Sequence, residues 1–217
     1  MGKRFVRARK PEEKEVRRKH LLEISRKLLE KDFDINNLSL NEIARKAGMA
    51  KANVYRYYET REALLLELLW DEWQTWYDSF KKSLNKTTKS KKSLDFTLKI
   101  LAGSLSERRL LCSLTTVLPS ILEKNLSEST LKQFKLKSLV FFGEIGNLLV
   151  EVCPTLSAEK YALLLQDAVT VITGLYPFAY PPPMVAAITD SPELKFYKRD
   201  FRKELERYLV ALADRKN

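Results

Sequence analysis

The sequence predicts an all-α protein, and three features support that class. Leu, Lys, Glu and Ala are abundant, and the 217 residues include only six glycines and eight prolines, few for a sheet protein with many tight turns. Apolar residues recur at helical spacing over long stretches. No segment alternates apolar and polar residues over a length that suits a strand. We expect three helices in an N-terminal domain, residues 1–60, and about six in a second domain, residues 61–217.

The first two helices have recognisable starts. Acidic residues and a helical apolar spacing follow Pro11 and predict a helix that ends near Lys31. Ser39 and Glu42 form a capping box, in which each side chain accepts a hydrogen bond from the backbone amide of the other residue. This box predicts a second helix that ends at Lys46.

Gly48 separates the second helix from a third. Glycine adopts a positive φ without steric penalty, so the chain can turn sharply here. The third helix is expected over residues 50–58. Its apolar positions, Val54 and Tyr58, can pack against Ile43, Ala44 and Ala47 of the second helix, which leaves its polar side chains on the open face.

The second domain begins with a long helix that Thr60 can cap. Four further helices are expected at about 93–104, 107–123, 128–151 and 158–176, with caps at Ser93, Ser106, Ser127 and Ser157. Pro119 should break or bend the second of them. The proline-rich residues 177–183 should be extended, and Ser191 and Pro192 should open a final helix to about Ala213.

The charge is strongly basic and unevenly distributed. The formal net charge is +11, and residues 1–20 contain nine Lys or Arg and three Glu, a net of 9 − 3 = +6. This basic arm points to a polyanionic partner, although a solvated surface also explains excess lysine. A second basic run, residues 81–92, is interrupted by Ser, Thr and Asn and is expected to be an exposed loop.

Two short helices joined by a glycine turn form a helix-turn-helix that can enter a major groove. Lysine and arginine neutralise phosphates, tyrosine hydroxyls donate to phosphate oxygens, and asparagine can pair with adenine through two hydrogen bonds. Any surface helix can carry such residues, but the capping box, the turn glycine and the basic arm together favour DNA binding. The open face of the third helix carries Lys51, Asn53, Tyr55, Arg56 and Tyr57.

Residues 38–64, LSLNEIARKAGMAKANVYRYYETREAL, resemble the DNA-binding signature of the tetracycline-repressor (TetR) family. The usual pattern is a capped T/S-x-x-x-I-A, then A-G-V-S-x-G-T-L-Y-x-H-F, then K-x-x-L. The resemblance implies that Ser39 caps the second helix and touches phosphate, and that Asn41 reaches a base. It places Lys51, Asn53, Tyr55 and Tyr57 on the recognition helix, and Arg61 in place of a lysine that holds a phosphate.

The sequence departs from that signature on the recognition helix. Ala50 stands where a serine usually caps this helix, a loss of about 1 kcal/mol. Ala52, Asn53 and Tyr57 stand where Gly, Thr and His are common. These changes keep the fold but alter the DNA-facing surface, so no operator sequence transfers to this chain. The signature covers about a quarter of the chain, and the rest resembles the family in helix number, length and order.

The resemblance also implies a homodimer and a small-molecule effector. The last two long helices would form the dimer interface through Leu165, Ala168, Val169, Ile172, Leu205, Tyr208, Leu209 and Leu212, unless these stripes complete the core of one chain. An apolar or amphipathic effector would lie between the middle helices. Its candidate lining residues, for each of which core packing is the alternative, are Trp73, Tyr77, Phe80, Phe96, Phe134, Phe141 and Ile145.

Catalysis finds little support. The single histidine, His20, reads as a surface residue with no cysteine or acid arranged around it, and no Walker or G-x-G-x-x-G loop exists. We therefore expect no enzyme activity, no metal and no cofactor. Two cysteines without a motif spacing, and no run of eighteen apolar residues, suggest a cytoplasmic protein that does not enter membranes.

These observations predict a repressor that binds a palindromic double-stranded DNA operator as a homodimer and is released by its effector. Two alternatives remain from the sequence. One is a non-specific architectural DNA-binding protein whose basic arm supplies most of the affinity. The other is a helical enzyme with an appended helix-turn-helix.

Overall fold

The computed structural model describes residues 11–33, 35–87 and 92–214, and all regular structure among them is helical. The first ten residues of the basic arm lie outside this range. The predicted all-α class is confirmed. The α-helices of the described residues are α1 Pro11–Asp32, α2 Leu40–Lys46, α3 Lys51–Val54, α4 Arg61–Thr87, α5 Leu94–Ser106, α6 Arg109–Val117, α7 Glu128–Val152, α8 Ala158–Ala179, α9 Pro183–Thr189 and α10 Phe201–Ala213.

The described residues form two compact units. The first contains the chain up to Glu72 together with Leu118–Leu126, and the second contains Trp73–Val117 and the chain from Ser127 onwards. The domain division after residue 60 stays a prediction. In the structure, α4 begins at Arg61 and the first unit includes its residues as far as Glu72.

In the first unit, α1 packs on α2 and α2 packs on α3. Ion pairs join α1 to α4: Arg18 pairs with Glu67, and Arg26 contacts the carboxylates of both Asp71, at 2.5 Å, and Glu72, at 2.7 Å. Exposed ion pairs contribute about 0–1 kcal/mol each. Glu72 is only 7% exposed, so losing its partner Arg26 would leave a buried charge unpaired and cost more than losing a surface pair.

The second unit is built around α8, which packs on α6, α7 and α10. Helix α5 packs on α6 and α10. The start of α8 approaches α7 so closely that a Cβ atom on Gly146 would lie 2.3 Å from the Ala158 carbonyl oxygen. Only glycine fits at this contact, which fixes where the two helices meet.

Serine and threonine caps start many of these helices where the sequence predicts them. The side-chain oxygens of Ser39, Thr60, Ser93, Ser127 and Ser157 accept hydrogen bonds from backbone amides three residues ahead, at 3.0–3.3 Å. Only half of the capping box of α2 forms. The carboxylate of Glu42 turns to Arg45, 3.8 Å away, instead of returning to the Ser39 amide.

Several predicted boundaries are wrong in the first half of the chain. Helix α3 ends at Val54 rather than near residue 58, and the amides of Tyr57 and Tyr58 both bond to the Val54 carbonyl in a turn. Helix α4 continues to Thr87, through part of the expected loop at 81–92, because Leu84 extends its buried stripe. Ser106 ends α5 instead of starting α6, and its hydroxyl donates to the Gly103 carbonyl.

Prolines account for where the helices from α6 to α9 break, end or begin, including where the structure differs from the prediction. Pro119 does end regular α-helix, because α6 gives way there to a π-helical turn, Leu118–Leu122, as predicted. Residues 177–183 are not wholly extended. Pro177 lies in the last turn of α8, where its missing amide removes a single hydrogen bond. Pro183 begins α9, since its fixed φ suits a first helical turn.

The final helix begins later than the sequence predicts. Pro192–Tyr197 forms a 3-10 helix, and α10 starts at Phe201. Its N-cap is Asp200, whose carboxylate accepts a hydrogen bond from the Lys203 amide at 3.1 Å. Asp is a strong N-cap residue, but the Ser-Pro pair at residues 191–192 gives the more conspicuous helix-start signal.

Candidate nucleic-acid interface and aromatic cluster

A sharp turn presents α3. Gly48 has φ +63°, and the Met49 amide bonds to the Ala44 carbonyl at 3.0 Å, so α3 leaves α2 at once. Val54 and Tyr58 are 0% and 2% exposed and form the buried side of α3 and of the turn after it. Full burial of a valine side chain such as that of Val54 contributes about 1.5–3 kcal/mol. As expected from the sequence, Ala50 supplies no side-chain cap.

The opposite face of this segment is open to solvent. Lys51, Asn53 and Arg56 are exposed, Tyr55 is 41% exposed, and Tyr57 is half-buried. The Lys51 ammonium lies 5.7 Å from the centroid of the Tyr55 ring, within the range of a cation–π contact. The structure therefore places these five predicted DNA-binding residues on α3 and the turn after it, with their cationic groups accessible.

The other predicted DNA-binding residues surround a groove in the same unit. Ser39, Asn41, Tyr55 and Arg61 all line it, and Asn41 is exposed. Tyr55 thus belongs both to the open face of α3 and to this groove. These four residues, from the start of α2, the turn after α3 and the start of α4, meet here although they are spread over more than twenty positions.

Arg61 makes contacts that the sequence does not suggest. Its guanidinium donates to the carbonyl oxygens of Ile35, Asn36 and Leu38, at 3.5, 3.0 and 3.3 Å. It also pairs with Glu62 at 2.9 Å. Arg61 therefore fastens the turn before α2 to the start of α4. No local signal predicts this, because the partners lie 23 to 26 residues away.

Tyr58 anchors α3 to the rest of the first unit. The Arg18 guanidinium lies 5.3 Å from its ring centroid, and Arg18 is held in turn by Glu67. The Tyr58 hydroxyl is buried without a hydrogen-bond partner in the described part of the chain. Burial raises the pKa of Tyr58, and the neighbouring Glu67 carboxylate raises it further, so this phenol stays neutral.

The second unit contains an aromatic cluster made by α4 and α7. The Trp73 ring centroid lies 5.4 Å from that of Trp76 and 5.9 Å from that of Phe142. Phe80 stacks on Trp76 at 5.1 Å, and Tyr77 meets Phe141 edge-on at 5.4 Å. These distances are typical of favourable aromatic pairs.

The predicted effector-lining residues divide between this cluster and its surroundings. Trp73, Phe80 and Phe141 are buried in it, Tyr77 is partly exposed at its edge, and Ile145 is fully buried on α7. Phe134 is half-buried in the first part of α7. Phe96 differs: it is 38% exposed, and the Lys92 ammonium lies over its ring.

Two members of the cluster lie outside the predicted set of lining residues. Trp76 is fully buried, and its indole N–H donates to the Ser104 hydroxyl at 3.0 Å. Its spacing of three from Trp73 was a usable signal. Phe142 follows Phe141 directly, and helical periodicity gives no reason for both neighbours to join one cluster. At the polar edge, burial and then the Glu144 carboxylate raise the pKa of Tyr77.

The predicted dimer residues divide by burial into two groups. The side chains of Leu165, Ala168, Ile172, Leu205 and Leu209 are fully buried within one chain, because α8 and α10 pack against each other. Their burial favours the alternative that these stripes complete the core of one chain. Val169 and Leu212 are half-exposed, and Tyr208 is 40% exposed, so these three remain accessible to a partner.

Helix α8 keeps apolar side chains on its outer surface. Leu163 is 48% exposed and Phe178 is 72% exposed. By length and composition α8 could cross a membrane, yet only 28% of that stretch is buried within the chain. Core helices of soluble proteins satisfy the same length and composition test.

No metal cluster is apparent in the described part of the chain, where no three His, Cys, Asp or Glu side chains come together as a site would require. His20 is half-buried in α1. Both cysteines are free and buried, and burial raises the pKa of Cys112 to about 12.

Comparison with known structures shows similarity in fold. The chain resembles the fatty acid degradation regulator FadR from Bacillus halodurans with a TM-score of 0.53 and 13% identity, over 96% of this chain and 97% of that chain. A TetR family transcriptional regulator from Chloroflexus aurantiacus aligns over 94% of each chain at 18% identity, with a TM-score of 0.39. No curated protein matches the sequence significantly.

Family models cover most of the chain. The model for bacterial regulatory proteins of the tetR family matches residues 22–68, which include the helix-turn-helix. The model for the tetracyclin repressor-like C-terminal domain matches residues 70–214, which include the aromatic cluster. The protein therefore belongs to the TetR family of helix-turn-helix DNA-binding transcription regulators.

Proposed function

We propose that this regulator is a homodimeric repressor that occupies a palindromic operator and leaves it when an apolar or amphipathic small molecule binds. The observation that carries the proposal is the two-sided α3. The buried side of α3 and of the turn after it is fixed by Val54 and Tyr58, while Lys51, Asn53 and Arg56 are left open to solvent. A rigid helix with an accessible polar and cationic face is what major-groove reading requires.

The exposed groups divide by chemistry into two roles. Lys51, Arg56 and the tyrosine hydroxyls of Tyr55 and Tyr57 would hold phosphates, and so would Ser39 at the start of α2. Asn53 and Asn41 would read base edges, because an amide can both donate to and accept from adenine. Phosphate contacts fix the register, whereas base contacts supply the sequence preference.

Arg61 is proposed to have two roles. Arg61 stands at the start of α4, at the position where the family signature has a lysine that holds a phosphate. Its bonds to the carbonyls of Ile35, Asn36 and Leu38 support an additional positioning role, since they fix the turn that leads into Ser39 and Asn41. The two roles are separable because lysine retains the charge but lacks the planar fork.

The aromatic cluster is the proposed effector site. Trp73, Tyr77 and Phe141 supply an apolar, polarisable lining with one hydroxyl, which suits a ligand with a large apolar body. Release follows from mass action: a ligand that favours a dimer with a different separation of recognition helices lowers the affinity for a site whose half-sites are about 34 Å apart.

The experiment that tests this function compares DNA affinities. Duplexes enriched from a random pool and their scrambled versions are titrated with the full chain at one fixed salt concentration. We expect the enriched site to bind at least about 10³-fold more tightly, with two chains per duplex. Equal affinities for both duplexes would instead identify an architectural DNA-binding protein.

A further inference from the structure

The connection between α8 and α10 is an apolar arm that the described residues of its own chain leave uncovered. We define the arm as residues 180–200, which contain α9 and the 3-10 helix Pro192–Tyr197. Neither of these helices contains a buried residue. Six of the fifteen large exposed apolar side chains of the described residues lie here: Tyr180, Met184, Val185, Ile188, Phe196 and Tyr197.

The arm is nevertheless structured. The Lys198 ammonium pairs with the Asp190 carboxylate at 2.6 Å, which ties the end of the 3-10 helix to the end of α9. The Arg199 guanidinium donates to the Phe196 carbonyl at 3.1 Å. Proline occupies the first position of both short helices. These contacts hold a fixed shape without burying the apolar side chains.

The root of the arm is anchored to the second unit. The Tyr180 ring lies 4.7 Å from that of Tyr176 and 5.9 Å from that of Phe201. The Arg109 guanidinium lies 5.0 Å from the centroid of the same ring. Tyr176 is buried, and its hydroxyl donates to the Arg109 carbonyl at 3.1 Å. The arm therefore extends from a rigid base, with Met184 and Phe196 at 75% and 77% exposure.

We propose that this arm packs against a second copy of the chain and forms part of the dimer interface. The proposal rests on the dimeric function proposed above and adds to it a surface outside the helix stripes predicted from the sequence. Those stripes cannot supply the interface alone, since Leu165, Ile172 and Leu209 are consumed by the core of one chain.

Two observations favour a second copy as the occupant. First, Phe178 in the last turn of α8 is 72% exposed and lies two residues before Tyr180, so the exposed apolar surface at the end of α8 continues into the arm. Secondly, the area is adequate. Six partly exposed large side chains offer on the order of 600 Å², given about 150–250 Å² for an aromatic side chain. A standard interface buries about 800 Å² on each partner, which the α8 surface would complete.

Photo-cross-linking tests this placement directly. Met184→Cys, labelled with a benzophenone maleimide and irradiated at micromolar concentration, should give a covalent product of twice the chain mass. Val16→Cys is the control, because Val16 is 63% exposed but lies on α1, far from the arm in sequence. The unsubstituted protein serves as the labelling control, since both native cysteines are buried.

A variant of the arm provides an independent measurement. Met184→Ser combined with Ile188→Ser and Phe196→Ser removes no buried contact, so the chain should keep its helical content. We expect the dimer dissociation constant from sedimentation to rise at least about tenfold, since large apolar and aromatic anchors dominate interface energies.

The outcomes separate this inference from the proposed function. An unsubstituted chain that stays monomeric even with enriched operator DNA would overturn the dimeric function itself. A dimeric chain whose photoproduct stays within one chain, or forms only with added phosphatidylcholine vesicles, would overturn the arm placement and leave the function intact. An arm variant that dimerises as tightly as the unsubstituted chain would also overturn the placement of the arm in the dimer interface and leave the dimeric function intact.

Discussion

At the scale of single residues, Tyr58 shows how the recognition helix is held. Its ring is buried against Arg18, while its hydroxyl has no partner in the described chain. Removing an unsatisfied hydroxyl while keeping the ring is nearly neutral or stabilising. We therefore expect Tyr58→Phe to keep or raise the thermal unfolding midpoint, and Tyr58→Ala to lower stability by about 3–5 kcal/mol. A clear loss of stability in the phenylalanine variant would mean that the hydroxyl has a partner.

Alkaline pH offers a second test of the same residue. The pKa of Tyr58 is raised above its ordinary value of 10.0 in the folded chain, so only the unfolded chain ionises this phenol near pH 10. Folding stability due to Tyr58 is then present below pH 10 and is lost as the pH rises further. Tyr58→Phe should flatten the decline of the unfolding midpoint above pH 10. An unchanged decline would show that other tyrosines dominate it.

Phosphate holding and base reading fall on neighbouring residues of α3. Lys51→Ala should weaken binding to enriched and scrambled duplexes alike and lower the salt slope by about one unit per half-site. Asn53→Ala should cost about 1–3 kcal/mol on the enriched duplex only, with the slope unchanged. Lys99→Ala, an exposed lysine of α5, is the charge-matched control. Equal losses on both duplexes for Asn53→Ala would leave Asn41 as the main base-reading residue.

Two substitutions of Arg61 distinguish its two proposed roles, which are to hold a phosphate and to position the turn before α2. Arg61→Lys retains the charge but cannot reach three carbonyls with a planar fork, so we expect weaker binding to both duplexes and an unchanged salt slope. Arg61→Ala should weaken binding further and lower the slope by about one unit per half-site. Full recovery of affinity in the lysine variant would limit Arg61 to holding phosphate.

At the scale of elements, local chemistry predicts starts better than ends. The hydroxyls of Ser39, Thr60 and Ser157 mark helix starts because each satisfies an otherwise free amide within three residues. The ends depend on distant partners. Helix α8 continues through Pro177 because Tyr176 is fixed to Arg109 and Phe201, contacts that a local sequence window does not contain.

The dimer interface is also hard to predict from sequence, because it too depends on contacts that a local sequence window does not contain. A buried stripe looks alike in sequence whether it faces another helix of the same chain or a partner chain. The spacing of Leu205 and Leu209 suits both a core helix and a dimer helix. The packing of α8 against α10, which buries both side chains within one chain, favours the core. The helix-turn-helix was predictable for the opposite reason, since its cap, turn glycine and underside all lie within one short segment.

Leu209 provides the corresponding test. Because its side chain is fully buried within one chain, Leu209→Glu should place a charge in the core and lower the unfolding midpoint sharply, rather than give folded monomers. Its neighbour is the matched control: Tyr208 is 40% exposed, so Tyr208→Glu should keep the midpoint and affect association alone. A folded, monomeric Leu209→Glu protein with an unchanged midpoint would return this residue to the interface.

At the scale of the whole molecule, the proposed function requires two separable binding activities. Residues of the aromatic cluster should influence the effector response without changing DNA affinity in its absence, because none of them belongs to the DNA-binding surface. We expect Trp73→Leu and Phe141→Leu to alter the concentration of effector that releases the operator. Phe96→Leu should respond normally, since Phe96 is exposed outside the buried part of the cluster.

A thermal-shift screen identifies the effector class on which that comparison depends. A ligand that binds only the folded chain stabilises it by about 2.7 kcal/mol at a hundred times its dissociation constant, so apolar and amphipathic compounds should raise the unfolding midpoint. Compounds that do so should also release the operator duplex in a titration, and the rise should shrink in Trp73→Leu but persist in Phe96→Leu. Stabilisation by strongly charged, compact molecules alone would mean that the effector binds outside the aromatic cluster. The same conclusion would follow if Phe96→Leu lost the ligand-induced rise of the unfolding midpoint while Trp73→Leu kept it. Release of DNA by a compound whose stabilisation is insensitive to Trp73 would place the effector site elsewhere while preserving ligand-controlled repression.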